Sequence, residues 1–302
     1  MDVTQPPNEA PQLRQLGIGD IIDRVFALYR SRPLVFFALA APPYLVLTLV
    51  FIAIGATHIE TLNQVSSDVL AERPLSPAVA ADFFSTVVTL TIVGGLAAIL
   101  LLSVQIASLV DAVSARYLGR RVDLGTSFVN GLRAAPRLIA AAFVLFVLFC
   151  VLWVVVFIVM AVSNSVLVVL VMAIAGTVAT FYIAASSLVM PVVATVEGVG
   201  PIGALRRSFW LAGGNRWRII GVQLLLFILN VVVSSLLSAV LVGTFVTDPV
   251  LRGSLQTIVN AIATIAWAPV EWGAFTILYY DLRVRHEAFD LQLAAEALPR
   301  EP

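Results

Sequence analysis

The chain alternates between long apolar runs and short polar segments. A helix needs about 20 apolar residues to cross the hydrocarbon core of a membrane. Six runs reach that length, at residues 34–56, 85–113, 138–162, 166–190, 219–246 and 257–280. Only Ser163-Asn164-Ser165 separates the third run from the fourth, which predicts a tight hairpin. The pattern therefore predicts an all-α integral membrane protein with six transmembrane helices.

Segment 17–31 shows a helical pattern of a different kind. Its apolar residues recur at intervals of three and four, which places them on one helix face, and charged residues occupy the rest. The apolar face consists of Ile18, Ile21, Ile22, Val25, Phe26 and Tyr29. This pattern is typical of a helix that lies in the membrane interface. The alternative is a helix packed on another segment outside the membrane.

Two later segments resemble this interfacial helix. Residues 123–138 precede the third run and residues 200–219 precede the fifth; each has an early glycine, then an aromatic residue, then arginine. The sequences that begin at Ser108 and Ser187, 79 positions apart, also resemble each other. Self-similarity at a fixed period indicates an architecture built from repeats. We therefore expect three copies of one unit, an interfacial helix followed by a helical hairpin.

The positive charges fall almost entirely on one side of the six-span arrangement. All 18 basic residues are arginine, and only Arg73 and Arg252 lie in the alternate loops. Because short arginine-rich loops stay in the cytoplasm, we expect a cytoplasmic arm (1–33), a membrane domain (34–280) and a cytoplasmic tail (281–302). The positive side should favour anionic lipids. Arginine without lysine, with much alanine and valine, is typical of GC-rich genomes and favours a bacterial inner membrane.

Composition excludes several classes of protein. The chain is 60% hydrophobic and 12% charged, with a mean hydropathy of +1.01, whereas soluble domains carry about 25% charged residues. Cys150 is the only cysteine, and His58 and His286 fall on opposite sides of the membrane. We therefore expect no internal disulfide, no metal site and no cofactor. The sequence shows no catalytic motif and no basic stripe with interleaved aromatics for nucleic-acid binding.

Glu271 is the single most informative residue for function. It lies inside the sixth run, where an acid is costly and marks a functional site by default. One hypothesis is a proton carrier, in an intramembrane polar site with Gln105 and Asn230. The alternative is a structural acid that is hydrogen-bonded to Gln105, Asn230, Ser234 or Asn260 on neighbouring spans and shielded by nearby tryptophans.

Arginines and aromatics concentrate in the segment before and at the start of the fifth run. They form a candidate docking or lipid-headgroup surface consisting of Arg206, Arg207, Phe209, Trp210, Arg216, Trp217 and Arg218. Guanidinium groups bind phosphate bidentately, as a headgroup or nucleotide would require. The alternative is that these arginines only set the topology, since every loop on that side carries them.

Three segments resemble those of a known family. They are LGIGDIIDRVFALYRSRP near the start, PVVATVEGVGPIGALRRSFWLAGGNRWRIIGVQLL in the middle and TILYYDLRVRHEAFDLQL near the end. They are similar to the glycerophosphodiester phosphodiesterase membrane-domain family of bacterial membrane proteins. In larger members such a domain precedes a catalytic barrel, which has no counterpart in this sequence. The resemblance therefore implies a polytopic membrane fold and not phosphodiesterase activity.

Three hypotheses for function follow, in order of preference. The first is a non-catalytic membrane protein that organises partner proteins on the cytoplasmic face, where the patterned sequence concentrates. The second is a transporter of a small solute or lipid that uses Glu271 and the spans broken by Pro42-Pro43 and Pro269. The third is a membrane-embedded enzyme. The sequence leaves the oligomeric state open.

Overall fold

The computed structural model describes the backbone of residues 14–243 and 249–292, and the side chains of residues 14–241 and 255–292. Within these ranges the chain is helical and contains no strand. Six helical stretches are long and apolar enough to cross a membrane. The predicted all-α fold with six spans is therefore confirmed. The start of the predicted arm, the last residues of the fifth run, Arg252 and the end of the tail lie outside the described side chains.

The helices follow one another with short connections. In chain order they are α1 (Ile18–Ser31), α2 (Pro33–Thr57), α3 (Ile59–Leu70), α4 (Pro77–Thr89), α5 (Gly95–Tyr117), α6 (Leu124–Val162), α7 (Val166–Ser187), α8 (Met190–Val196), α9 (Pro201–Ala212), α10 (Arg216–Ser238) and α11 (Pro249–Glu287). A π-helical turn (Leu90–Gly94) joins α4 to α5, and a second (Ala239–Gly243) extends α10. The tight hairpin at residues 163–165 is confirmed.

The second predicted interfacial helix is not a separate element. Residues 124–138 form the first part of α6, which continues through Pro136 to Val162. Proline removes one backbone donor, but nothing after Pro136 turns the chain. By contrast, α9 ends at a pair of glycines, and Gly214 has a φ of +73° that favours glycine. A turn thus needs a residue that changes the direction of the backbone, as Gly214 does, and Pro136 alone does not change it.

The packing nevertheless follows the predicted repeat. α1 packs on α11, the first part of α6 packs on α5, and α9 packs on α6, α7 and α8. The first helix of each unit therefore contacts the second span of the preceding unit, and α1 closes the cycle on α11. We call each such contact a junction. The buried positions of α6 recur in α9 at a distance of 77 positions, as Ser127 and Ala204, Gly131 and Ser208, Ala134 and Leu211.

The core lies at one end of the bundle. Buried residues of α5, α6 and α10 concentrate where these helices approach the arginine-rich loops, which we call the Arg-rich end. In the most apolar stretch of α11, 56% of the residues are buried. In the corresponding stretches of α6, of α7 with α8, and of α10, only 6% are buried. α11 is therefore the central helix, and most of the surface of the third to fifth spans is left for lipid.

The α6 junction depends on a glycine. A Cβ at Gly131 would overlap Ser108 Oγ and lie 2.7 Å from the Ser108 backbone nitrogen. Because α5 would have to move as a unit, we expect Gly131→Ala to cost about 1–3 kcal/mol, measured as a lower Tm in detergent. The matched control is Gly95→Ala, where a Cβ meets nothing within 4 Å. An unchanged Tm for Gly131→Ala would contradict this packing.

Candidate functional site

A polar cavity lies between α10 and α11. Its volume is about 230 Å³, and its polar lining consists of Gln223, Asn230, Thr264 and Glu271. Apolar side chains complete the wall, among them Phe227 and Trp267. The structure thus places Glu271 and Asn230 at one site, and it adds Gln223 and Thr264, which the sequence analysis did not select.

The cavity lies well inside the membrane-spanning part of both helices. Gln223 and Asn230 come 7 and 14 residues after the start of α10 at Arg216, or about 10 and 21 Å along the helix axis. Glu271 precedes Asp281 by ten residues, about 15 Å along α11. The polar groups therefore converge near the middle of the two spans.

Glu271 is half-buried and has no internal partner among the described residues. No hydrogen bond or ion pair connects its carboxylate to Asn230, Ser234 or Asn260. Asn260 Oδ1 instead accepts a hydrogen bond from Gln256 Nε2 at 2.9 Å. The structure therefore gives no support to the alternative of a structural acid held by these side chains.

The structure does not bring Gln105 to the cavity. Gln105 lies on α5, is 4% exposed, and its Nε2 donates to the carbonyl oxygen of Ala40 at 2.7 Å. The bond goes to the turn of α2 that precedes Pro42 and Pro43, although the carbonyls that lose their usual donor to these prolines are those of Ala38 and Leu39. Gln105 is thus a structural contact between α2 and α5.

An ion-pair ring connects α9 to the end of α11. Arg207 Nε donates to Glu197 at 3.0 Å, and its Nη2 pairs with Glu287 Oε1. Arg283 Nε donates to Glu287 Oε2 at 2.7 Å, and the Tyr279 hydroxyl donates to Glu197 Oε1 at 2.9 Å. Burial alone would lower the pKa of the Arg207 guanidinium, but its hydrogen bonds to Glu287 and Glu197 outweigh that effect and raise it. We call this group the Glu197 ring.

A second network surrounds Asp281, whose side chain has no exposed surface. The carboxylate accepts hydrogen bonds from the Leu16 backbone N–H at 2.7 Å and from Arg285 Nε at 2.9 Å. Arg218 Nε lies 3.1 Å from Asp281 Oδ2, and the Leu16 carbonyl accepts from both guanidiniums. Asp281 therefore ties the segment before α1 and the start of α10 to α11.

Most of the predicted arginine surface is used inside the protein. Arg207 and Arg218 belong to the two networks, and Arg216 donates to Ser186 Oγ at 2.9 Å. Phe209 packs edge-on against Tyr182, with ring centroids 6.4 Å apart. Three members of the set stay exposed, namely Arg206, Trp210 and Trp217. The structure therefore does not place a headgroup site that uses all four arginines on this surface.

No group of three or more His, Cys, Asp or Glu side chains able to hold a metal ion occurs within the described part of the chain. The acids that sequence reasoning missed are Glu197, Asp281 and Glu287. A local signal for two of them exists, because Asp281 and Arg285, like Arg283 and Glu287, are spaced four apart on one helix. Their long-range partners carry no such signal.

Loss of the Asp281 charge should destabilise the Arg-rich end. Asp281→Asn would leave Arg218 and Arg285 without a counter-ion at a site with little access to water. We expect a loss of about 2 kcal/mol or more, seen as a lower Tm in detergent. Asp23→Asn is the matched control, since Asp23 is exposed on α1 and forms no ion pair with the described residues. Equal Tm values for the two variants would refute the role of Asp281.

Comparison with known proteins gives no relative: no family model, curated protein or solved structure matches the chain. The resemblance to the glycerophosphodiester phosphodiesterase membrane-domain family therefore stays a prediction from the three sequence segments. A proposal for the function therefore has to rest on the geometry of the Glu271 cavity and of the Arg-rich end.

Proposed function

We propose that this multi-pass protein is a transporter of a small polar solute in the bacterial inner membrane, with the Arg-rich end in the cytoplasm. The observation that carries the proposal is the cavity in which Glu271 meets Gln223, Asn230 and Thr264. We propose no catalytic activity. The geometry thus favours the second of the hypotheses from sequence over the first.

The chemistry of the cavity supports this proposal. A carboxylate without an internal partner is expensive inside a membrane and is a functional group by default. The two amides offer both donors and acceptors, and the hydroxyl of Thr264 adds one more of each. Such a lining can replace the hydration shell of a small polar molecule, while Glu271 binds its positive charge or carries a proton.

The packing around the cavity also supports transport. The Glu197 ring and the Asp281 network hold the Arg-rich end closed, whereas α10 has no buried residue between Leu226 and its end at Ser238. Pro269 lies in α11 two residues before Glu271 and leaves the carbonyl of Ile265 without its usual donor. Both α2 and α11 nevertheless run without a break through their prolines, so the broken spans expected from sequence are not present. What supports transport is a polar site near the middle of two spans below an end that ion pairs hold closed.

Replacement of Glu271 tests the transport proposal. Purified protein in proteoliposomes, with a pH-sensitive dye inside, should show proton flux driven by a gradient of at least one solute from a panel of amines, amino acids and sugars. Glu271→Gln should lower that flux by about tenfold or more, since it removes the titratable group. Glu60→Gln on α3 is the control, because Glu60 lies outside the spans. Wild-type vesicles without flux across the panel would refute transport.

A second candidate function rests on the exposed residues of the Arg-rich end. Trp210 is 48% exposed and Trp217 is 83% exposed, and exposed Arg206 lies near them in sequence. Tryptophan and arginine are the residues most enriched where binding energy concentrates in protein interfaces. As the second candidate function, we propose that this surface is the docking site for a partner protein.

The docking surface can be tested apart from the cavity. Trp217→Ala combined with Arg206→Ala should lower recovery of a co-purifying protein by about tenfold, a typical effect of removing interface anchors. Trp153→Ala is the control, since Trp153 lies within the α6 span and packs at a tilt against Phe157. Equal recovery from both variants, measured by quantitative mass spectrometry, would eliminate this surface.

A further inference from the structure

A second polar cavity lies at the α6 junction, at the Arg-rich end. Its volume is about 320 Å³, and it is bounded by the end of α5, the connection to α6, the first turns of α6 and the end of α8. Its charged lining consists of two arginines and two aspartates, Arg120, Arg121, Asp111 and Asp123. The cavity shares no residue with the Glu271 cavity, so the inference drawn from it does not depend on transport.

The four charged groups do not pair with one another. Asp111 Oδ1 accepts from the Asn130 amide at 3.2 Å, and Asp123 Oδ2 accepts from the Thr126 N–H and hydroxyl at 2.8 Å each. The N–H bond and then the hydroxyl bond lower the pKa of Asp123, which is therefore charged at neutral pH. Within the described residues, neither Arg120 nor Arg121 has a carboxylate within ion-pair distance.

A buried hydroxyl also belongs to the lining. Ser114 lines the cavity and is 5% exposed, and its Oγ makes no hydrogen bond of good geometry with the described residues. The Tyr280 hydroxyl is likewise buried, and it lies close enough to Ser114 for the two hydroxyls to pair with each other. Buried polar atoms in folded proteins nearly always have a partner, whether protein, water or ligand. Since a hydroxyl offers one donor and two lone pairs, Ser114 can pair with Tyr280 and still bond to a polar group inside the cavity.

The other two junctions are closed by the protein's own charges. In the repeat, Asn130 of α6 corresponds to Arg207 of α9, 77 positions later, and Arg207 bridges Glu197 and Glu287. At the α1 junction, Asp281 takes the guanidiniums of two arginines. At the α6 junction Arg120 and Arg121 are exposed, no carboxylate of the described residues lies within ion-pair distance of them, and they line a cavity. The α6 junction therefore differs from the other two in that its arginines are open to an outside group.

The signs of the charges define that group. Two guanidiniums and the Ser114 hydroxyl suit the oxygens of a phosphate, which arginine binds bidentately. A phosphate alone would face Asp111 and Asp123 unfavourably, and an amine alone would face the arginines. A ligand with both charges satisfies both sides, because Asp111 Oδ2 and Asp123 Oδ1 accept no hydrogen bond from the described residues.

We propose that the cavity at the α6 junction binds a phosphate ester that carries an amine, with the phosphate on Arg120, Arg121 and Ser114 and the ammonium on Asp111 and Asp123. Two sources share this chemistry, the headgroup of an aminophospholipid and a soluble phosphorylated amine. Both can reach the site, since the cavity lies where the α5 and α6 spans end. Bound there, the ligand closes the third junction as the ion pairs close the other two.

Calorimetry with three soluble probes tests the chemistry on the full-length protein in detergent. Phosphorylethanolamine should bind with a Kd about tenfold lower than that of inorganic phosphate or of ethanolamine, because only it satisfies both charged sides. Binding of phosphate equal to or tighter than that of phosphorylethanolamine would overturn the proposed two-charge ligand.

A variant and a control assign the binding to this cavity. Arg120→Gln combined with Arg121→Gln should abolish the binding of phosphorylethanolamine, and Ser114→Ala should weaken it. Arg133→Gln is the matched control, an exposed arginine on α6 that does not line the cavity. Measurable binding that is equal in the double variant and the control, with both variants folded as judged by Tm, would overturn the site.

Lipid nanodiscs separate the two sources. With equal phosphatidylethanolamine and phosphatidylglycerol, native mass spectrometry should find the amine lipid retained on the wild type and lost from the double variant. Retention of lipid without binding of the soluble probe identifies a membrane lipid as the ligand, and the reverse identifies a soluble one. If the wild type binds neither the lipid nor the soluble probe more tightly than the double variant does, water fills the cavity and the proposal fails.

Discussion

A carboxylate that is cut off from water, Asp281, is satisfied by one backbone N–H and two guanidiniums that come from three separate parts of the chain. An isolated charge in that position would be very costly, so these parts must come together for the Arg-rich end to form at all. The position of α11 in the bundle depends on this contact. The Glu197 ring then fixes α9 to another face of the same helix end.

The sequence YYDLRVRHE at the end of α11 explains how one helix serves both networks. Tyr279, Arg283 and Glu287 follow one another at intervals of four and point into the Glu197 ring. Asp281 and Arg285 have the same spacing but lie two positions away, which is more than half a helical turn. The alternation sends one set of charges toward α9 and the other toward α1 and α10.

The spans could be predicted from sequence because each depends only on its own length and apolarity. The break at residues 163–165 is equally local, since three polar residues stand between two apolar runs. The continuity of α6 through Pro136 could not be predicted in the same way, because it depends on whether the residues after Pro136 keep the helical conformation. The place of Gln105, and the use of three arginines of the predicted surface inside the fold, depend on partners far away in sequence. For the same reason Glu271 could be selected as a buried acid, while Gln223 and Thr264 could not be assigned to it.

The length of α6 has a mechanical consequence. Its 39 residues extend about 58 Å, roughly twice the hydrocarbon thickness, without an intervening hinge. The close contact at Gly131 lies 7 residues from the start of the helix and 31 from its end, so it can act as the fulcrum of a rigid lever. A displacement at the hairpin would reach the first turn of α6, at the edge of the cavity, about fourfold smaller and in the opposite direction.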